Sequence, residues 1–412
     1  MIHTDNFRCG LLGEHLAHSF SPQIHAHLAD YEYKLYEMAE NEVGAFLKSC
    51  PLDAMNVTIP YKKTVMPFLD FISDEAQKIG SVNTIVKKDG LLYGYNTDYY
   101  GFMHMIKSSG ITVRNKKVLV LGTGGASLTV KTVLQDLEAA EIISVSRTGE
   151  TNYNNISLHS DADVIVNTTP VGMYPNNGVS PVNLELFPSL SGVLDLIYNP
   201  ARTSLLCQAE KLEIPFINGL VMLVSQAKKA CEYFLDCTID DSENKRITQE
   251  IAKQSENIVL IGMPSSGKST AGKKLAEKLG REFVDTDEVI VSMAEMSIPE
   301  IFSQYGEEHF RKIEHEAVKQ TAKRSGLVIA TGGGVVTRNE NYLPLHENGK
   351  IVFIERDIHE LSTDGRPLSQ KGNLEKMYET RLPLYLSFCD AKAQCDTNVG
   401  KTVENILKAV NI

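Results

Sequence analysis

The run Gly262-Met-Pro-Ser-Ser-Gly267-Lys268-Ser269 sets two glycines, a lysine and a hydroxyl at the spacing G-x-x-x-x-G-K-S/T. Glycines there let backbone N–H groups turn toward a chain of phosphates, and a helix N-terminus behind them adds positive potential. Lys268 reaches the terminal oxygens, Ser269 offers a hydroxyl to Mg2+, and Ser265, Ser266 and Thr270 complete the loop and its exit. The chemistry is that of a nucleoside triphosphate. A β-rich run at 257–261 and a helical stretch at 270–279 are the elements that must hold the loop.

Such a loop names the phosphate donor and leaves the acceptor open, so the polar groups downstream decide. They are Asp285-Thr-Asp287, Phe310-Arg311 with Glu314, Gly332-Gly333-Gly334, Gly365-Arg366-Pro367-Leu368 and Arg381-Leu-Pro383-Leu-Tyr385. In order and spacing this set resembles shikimate kinase over essentially all of residues 257–412. The resemblance implies that Asp287 holds the diol of shikimate and orients its 3-hydroxyl, that Arg311 and Arg381 clamp the carboxylate, and that Gly333 and Gly334 approach the ring. It also implies that Asp285 sits with Ser269 near Mg2+ and that Arg366 belongs to a lid bringing positive charge to the γ-phosphoryl group. A planar carboxylate suits guanidinium forks, and phosphoryl transfer relies on positioning and charge neutralisation. Only His359 is basic in the run 358–363, where family members often carry another basic residue before the Arg-Pro-Leu segment.

A second glycine turn, Gly122-Thr-Gly124-Gly125-Ala126-Ser127, follows the β-rich run 118–121. It is an imperfect dinucleotide fingerprint, with Ser127 at the third glycine position. The next β-rich run ends in Ser146-Arg147-Thr148, where a site selective for NAD would place an acid for the ribose 2′-hydroxyl. A guanidinium with hydroxyl neighbours suits the 2′-phosphate of NADP instead.

Around this turn lie Ser19-Phe-Ser21-Pro22, Asn56-Val-Thr58-Ile-Pro60-Tyr-Lys62, Ser81-Val-Asn83-Thr84, Asn96-Thr-Asp98, Asp195-Leu-Ile-Tyr198 and Asn218-Gly219-Leu-Val-Met222-Leu-Val-Ser-Gln226. Together they resemble shikimate dehydrogenase over roughly residues 7–237. By that resemblance Ser19 and Ser21 bind the substrate carboxylate, and Asn56, Thr58, Asn83, Tyr198 and Gln226 surround its hydroxyls and carboxylate. Met222 borders the cofactor, and Lys62 with Asp98 forms the catalytic pair. An ammonium beside a ketone can donate the proton that hydride delivery calls for. Taken singly, Ser19 and Ser21 suit a helix cap before Pro22, the asparagines suit turns, and Lys62 suits solvent. Tyr99 stands where the family commonly has glycine, and Ser146 where asparagine is common.

Seven short β-rich runs, at 118–121, 142–145, 164–166, 193–196, 258–261, 328–330 and 351–354, alternate with helical stretches. That is the pattern of parallel α/β sheets. The expected architecture is a two-lobed N-terminal part, with an α/β substrate lobe over 1–100, a Rossmann-like NADP lobe over 101–217 and a returning helix at 218–237. A polar linker joined to a short exposed helix at 238–256 then leads to a P-loop α/β/α domain with a parallel sheet over 257–412. At 412 residues the chain needs several cores.

The net charge of −11 argues against a nucleic-acid surface. No apolar run approaches the roughly 20 residues of a membrane span, and residues 1–20 lack a secretory core, so a cytoplasmic protein is expected. Seven scattered cysteines without a C-x-x-C pair predict neither disulfides nor zinc. Expected ligands are 3-dehydroshikimate, shikimate, NADP(H), ATP and Mg2+; oligomeric state is open. Two other readings fit the residues: quinate or NAD preference in the first part, and a non-catalytic metabolite sensor.

Overall fold

The computed structural model describes residues 2–16, 19–361 and 371–412. The chain divides into two compact units. One contains Met1–Gly172, Val179–Tyr198 and Leu205–Ile251; the other contains Met173–Gly178, Asn199–Ser204 and Ala252–Ile412.

The first unit has two sheets. Its six-stranded sheet runs Ala29–Glu37, Ile2–Gly13, Ala54–Val57, Thr84–Lys88, Leu91–Tyr95, Phe71–Ile72 in spatial order. Parallel pairing on one side of Ala54–Val57 changes to antiparallel pairing with Thr84–Lys88 on the other. The second sheet runs Phe216–Ile217, Gly192–Asp195, Val164–Asn167, Lys117–Leu121, Glu141–Val145 and is parallel throughout. Its three central strands are buried on both faces, which is why they read as unbroken apolar runs.

Helix Thr97–Ser109 joins the two lobes. Asn96 caps it by accepting from the Tyr99 N–H, and Gly110 ends it in the left-handed region. Helix Leu220–Leu235 packs across it so closely that a Cβ on Gly101 would lie 2.7 Å from the Met222 carbonyl oxygen.

The second unit is built on one parallel sheet, Phe283–Asp285, Val328–Ala330, Asn257–Ile261, Gly349–Glu355, Ala391–Gln394. Its long helix Ile298–Ala322 is broken at Gly306, whose φ of 79° and ψ of 176° lie outside helical values.

The short helix expected within 238–256 is present, but one face of it is covered where an exposed helix is expected. Residues Ser242–Ser255 form a helix, and Ile247 and Ile251 are fully buried against Ile24, Leu28, Leu220 and Val224 of the first unit. Two isoleucines four apart make a narrow apolar stripe that the surrounding polar residues hide in the sequence.

Candidate functional site

In the first unit, the turn after strand Ala54–Val57 is pinned at both ends. The Thr58 N–H donates to Leu12 O at 2.9 Å, and the Val82 N–H to Lys62 O at 2.8 Å. This aims Lys62 at the start of helix Thr97–Ser109, where its Nζ lies 2.5 Å from Asp98 Oδ2. The Asp98 side chain is 9% exposed and that of Lys62 is 27% exposed, so the carboxylate is enclosed while the ammonium reaches the cavity. The positive end of the helix favours the Asp98 charge.

These two face a cavity of about 370 Å3 whose walls bring together Ser19, Ser21, Asn56, Thr58, Lys62, Asn83, Asp98, Tyr198 and Gln226. All nine dehydrogenase residues expected at the substrate or in the catalytic pair therefore share one cavity. The Ser19 hydroxyl accepts from the Ser21 N–H at 3.2 Å, Phe20 rather than either serine is the residue at the helix cap, and both serines border the space. Phe20 between them packs its ring 5.4 Å from that of Tyr198.

Sequence reasoning missed His25, which also lines the cavity. It sits one helical turn beyond Ser21 in helix Ser21–Leu28, and that spacing was the available signal. Burial pushes its imidazole down to about 3, so the ring is neutral at ordinary pH. Its Nδ1 lies 2.6 Å from the Tyr31 hydroxyl, and its face stacks on Tyr33 at 4.0 Å. Burial also lifts the Tyr198 phenol above its usual range. Among the described residues lining the cavity, Lys62 and Asp98 are the only lysine and acid.

The glycine turn after Lys117–Leu121 suits a dinucleotide. A Cβ on Gly122, whose φ is 102°, would come within 2.9 Å of Thr168 Oγ1, whereas Gly124 and Gly125 face open space at the start of helix Gly125–Asp136. Ser127 is fully buried, and its hydroxyl donates to Gly124 O at 2.7 Å, so a bonded serine occupies the third glycine position. Ala126, Arg147 and Thr148 are exposed and Ser146 half-buried. Met222 packs with Phe102 and Leu194, one residue before Leu223 and one helical turn before Gln226 of the cavity wall.

In the second unit, strand Asn257–Ile261 is wholly buried and ends in the phosphate loop. Gly262 and Gly267 have φ of 150° and 91°, and Ser265 is left-handed at 63°. Lys268 Nζ donates across the loop to Gly262 O at 2.9 Å and Met263 O at 2.8 Å. Thr270, two residues into helix Lys268–Leu279, is exposed. The Ser266 hydroxyl is buried without a partner, and the Ser269 hydroxyl donates to Asp285 Oδ2 at 2.6 Å. A hydroxyl and a carboxylate meeting at a helix N-terminus form an oxygen-only donor set that fits Mg2+.

The three glycines 332–334 let large groups converge. A Cβ on Gly332 would lie 2.7 Å from Asp287 Oδ1, one on Gly333 would lie 2.6 Å from Pro264, and Arg311 lies against Gly334. Arg311 donates to Glu314 at 2.8 Å and Glu307 at 3.0 Å; Arg381 and Tyr385 both donate to Gly333 O, at 3.0 and 2.5 Å. Burial raises the Glu314 carboxyl, with Arg311 opposing the rise. Burial also lifts the Tyr385 phenol to about 12. Asp287, Arg311, Gly333, Gly334 and Arg381 thus lie around one loop. Arg366 falls outside the described residues.

A Clostridium beijerinckii protein named shikimate dehydrogenase (NADP(+)) is 41% identical over 268 residues, which cover 60% of this chain and 97% of that protein. The chain belongs to the shikimate dehydrogenase family. Residues 11–85 match the shikimate dehydrogenase substrate binding domain, and residues 264–411 match shikimate kinase, so a shikimate kinase domain follows the shikimate dehydrogenase part. Among solved structures, the chorismate mutase/shikimate 5-dehydrogenase fusion protein of Clostridium acetobutylicum is 37% identical with a TM-score of 0.57, covering 60% of this chain and 98% of that one. Shikimate 5-dehydrogenase of Thermus thermophilus, solved with NADP(H) and shikimate, is 29% identical with a TM-score of 0.54, covering 61% and 99%. No helix among the described residues is long and apolar enough to cross a membrane.

Proposed function

We propose that this chain carries out two consecutive steps: reduction of 3-dehydroshikimate to shikimate by residues 1–237, and phosphorylation of the shikimate 3-hydroxyl by residues 257–412. The observation that carries the first step is the 2.5 Å Lys62–Asp98 pair in a cavity whose described lining holds no other lysine or acid. NADPH, bound at the Gly122–Ser127 turn with Arg147 at its 2′-phosphate, supplies the hydride when present. Lys62 Nζ donates its proton to the ketone oxygen as the carbonyl carbon is reduced, and Asp98 Oδ2 holds the ammonium in place. Ser19 and Ser21 take the carboxylate, while Asn56, Thr58, Asn83, Tyr198 and Gln226 orient the ring.

In the second unit, ATP with Mg2+ supplies the phosphoryl group when bound, and Lys268, Ser269 and Asp285 are the residues that would hold it. Asp287 orients the attacking hydroxyl, and Arg311 and Arg381 fix the carboxylate. Arg311 must exchange at least one carboxylate partner for the substrate, which makes Glu307, the exposed one, the group that yields. Shikimate released by the first site reaches the second by free diffusion. A cytoplasmic setting suits a chain that uses both cofactors and keeps its seven cysteines unpaired.

Steady-state assays on the full chain test this reading. We expect NADPH oxidation with 3-dehydroshikimate and shikimate-dependent release of ADP. Preferred turnover of quinate with NAD would reassign the first site, and absence of both reactions would leave a metabolite sensor.

A further inference from the structure

Beneath the dehydrogenase cavity two asparagine side chains are joined through a threonine that does not line it. Thr84 is fully buried, and its Oγ1 lies 3.1 Å from both Asn56 Nδ2 and Asn83 Oδ1. Which way round each amide sits is usually a choice of assignment, but two main-chain groups remove the choice here. The Thr97 N–H can only donate, so the Asn83 atom 2.7 Å from it is Oδ1. The Asn83 carbonyl can only accept, so the Asn56 atom 3.4 Å from it is Nδ2. The Thr84 hydroxyl then accepts from Asn56 and donates its single hydrogen to Asn83 Oδ1 or to Thr97 Oγ1, 3.2 Å away. At the far end the Tyr33 hydroxyl donates to Asn56 Oδ1 at 2.8 Å, and Asn83 Nδ2 is left pointing toward Gln226 Oε1 at 3.4 Å.

We propose that Thr84 is a positioning residue for the dehydrogenase site, bridging Asn56 and Asn83 so that both amides keep the places in which their main-chain partners orient them and the cavity meets Asn83 through a donor. The inference rests on the dehydrogenase reading above and adds a selection rule to it. A ligand must present an accepting oxygen to Asn83 Nδ2, while Asn56 Oδ1 already takes the Tyr33 hydroxyl and faces the His25 ring.

Thr84→Val keeps the shape and removes the hydroxyl, leaving Asn56 Nδ2 only the longer contact with the Asn83 carbonyl, and Thr84→Ser keeps the hydroxyl. With the full chain and saturating NADP+, Thr84→Val is expected to raise KM for shikimate about tenfold while KM for NADP+ stays within about twofold. Thr84→Ser is expected to return KM for shikimate to within about threefold of the parent. Tyr33→Phe, which frees the other end of Asn56, should raise KM for shikimate severalfold by itself and carries the test if Thr84→Val does not fold. An unchanged KM in the folded variant of an active parent overturns the proposal, as does a parallel rise for both ligands or a serine variant no better than valine. A parent unable to oxidise shikimate with NADP+ instead removes the functional reading, and the inference with it.

Discussion

Replacing Lys62 by methionine tests what its ammonium contributes, because the side chain stays unbranched, ends one atom short of the nitrogen and loses the charge and proton. A positioned proton donor contributes about 10²–10⁴-fold, or about 3–5 kcal/mol of barrier, and no second lysine borders the described cavity to replace it. The contacts proposed for Ser19, Ser21, Asn83 and Gln226, which line the same cavity, are untouched, so kcat should carry the loss and KM for shikimate should change little. There is also a stability effect. Asp98, 9% exposed, loses a partner at 2.5 Å but keeps the positive end of its helix. The cost is about 1–3 kcal/mol, lowering the melting temperature of the first unit by several degrees. The assay follows NADPH absorbance well below that transition, with shikimate-dependent ADP release from the same preparation as an internal control. A kcat loss under about tenfold would refute the assignment of Lys62 as proton donor. So would a loss confined to KM, or a matching fall in kinase activity.

Lys268→Ala should reverse this selectivity, lowering phosphorylation about 100-fold or more while NADP-linked turnover is unchanged in the same coupled assays. Arg147→Gln is expected to raise KM for NADP+ about tenfold and leave KM for NAD+ nearly constant, because only the 2′-phosphate loses a charge-assisted partner. His25, held near 3 in the fold against about 6.5 unfolded, binds fewer protons when folded, so stability is full above that ordinary value and declines as pH falls toward the folded one. At pH 5 the first unit should have lost roughly 2 kcal/mol, visible as a fall in its denaturant midpoint that His25→Asn abolishes.

Much of both sites is legible in the sequence because local backbone demands fix glycines at short spacing. Gly262, Gly267 and Lys268 read as a phosphate loop since the turn itself requires those types, and Gly122 is held to glycine by Thr168 and Thr169. The strands 118–121 and 258–261 declare themselves by burial on both faces. The hydrogen-bond link through Thr84 is not legible, because Tyr33, Asn56, Thr84 and Thr97 meet only when Ala54–Val57 pairs with Thr84–Lys88, and each residue alone has an ordinary use in a strand or cap. Met222, expected at the cofactor, is set by the close crossing of its helix over Gly101, which no sequence spacing announces. The burial of the connecting helix escapes the sequence pattern because Ile247 and Ile251 are the only apolar side chains in it that are buried.

That connecting helix bears on any attempt to dissect the fusion. A stop codon after residue 237, where the dehydrogenase resemblance ends, would strip Ile247 and Ile251 from Ile24, Leu28, Leu220 and Val224 and leave a greasy scar on the excised enzyme. Cutting beyond Ile251 retains the covering helix and yields the cleaner fragment for expression.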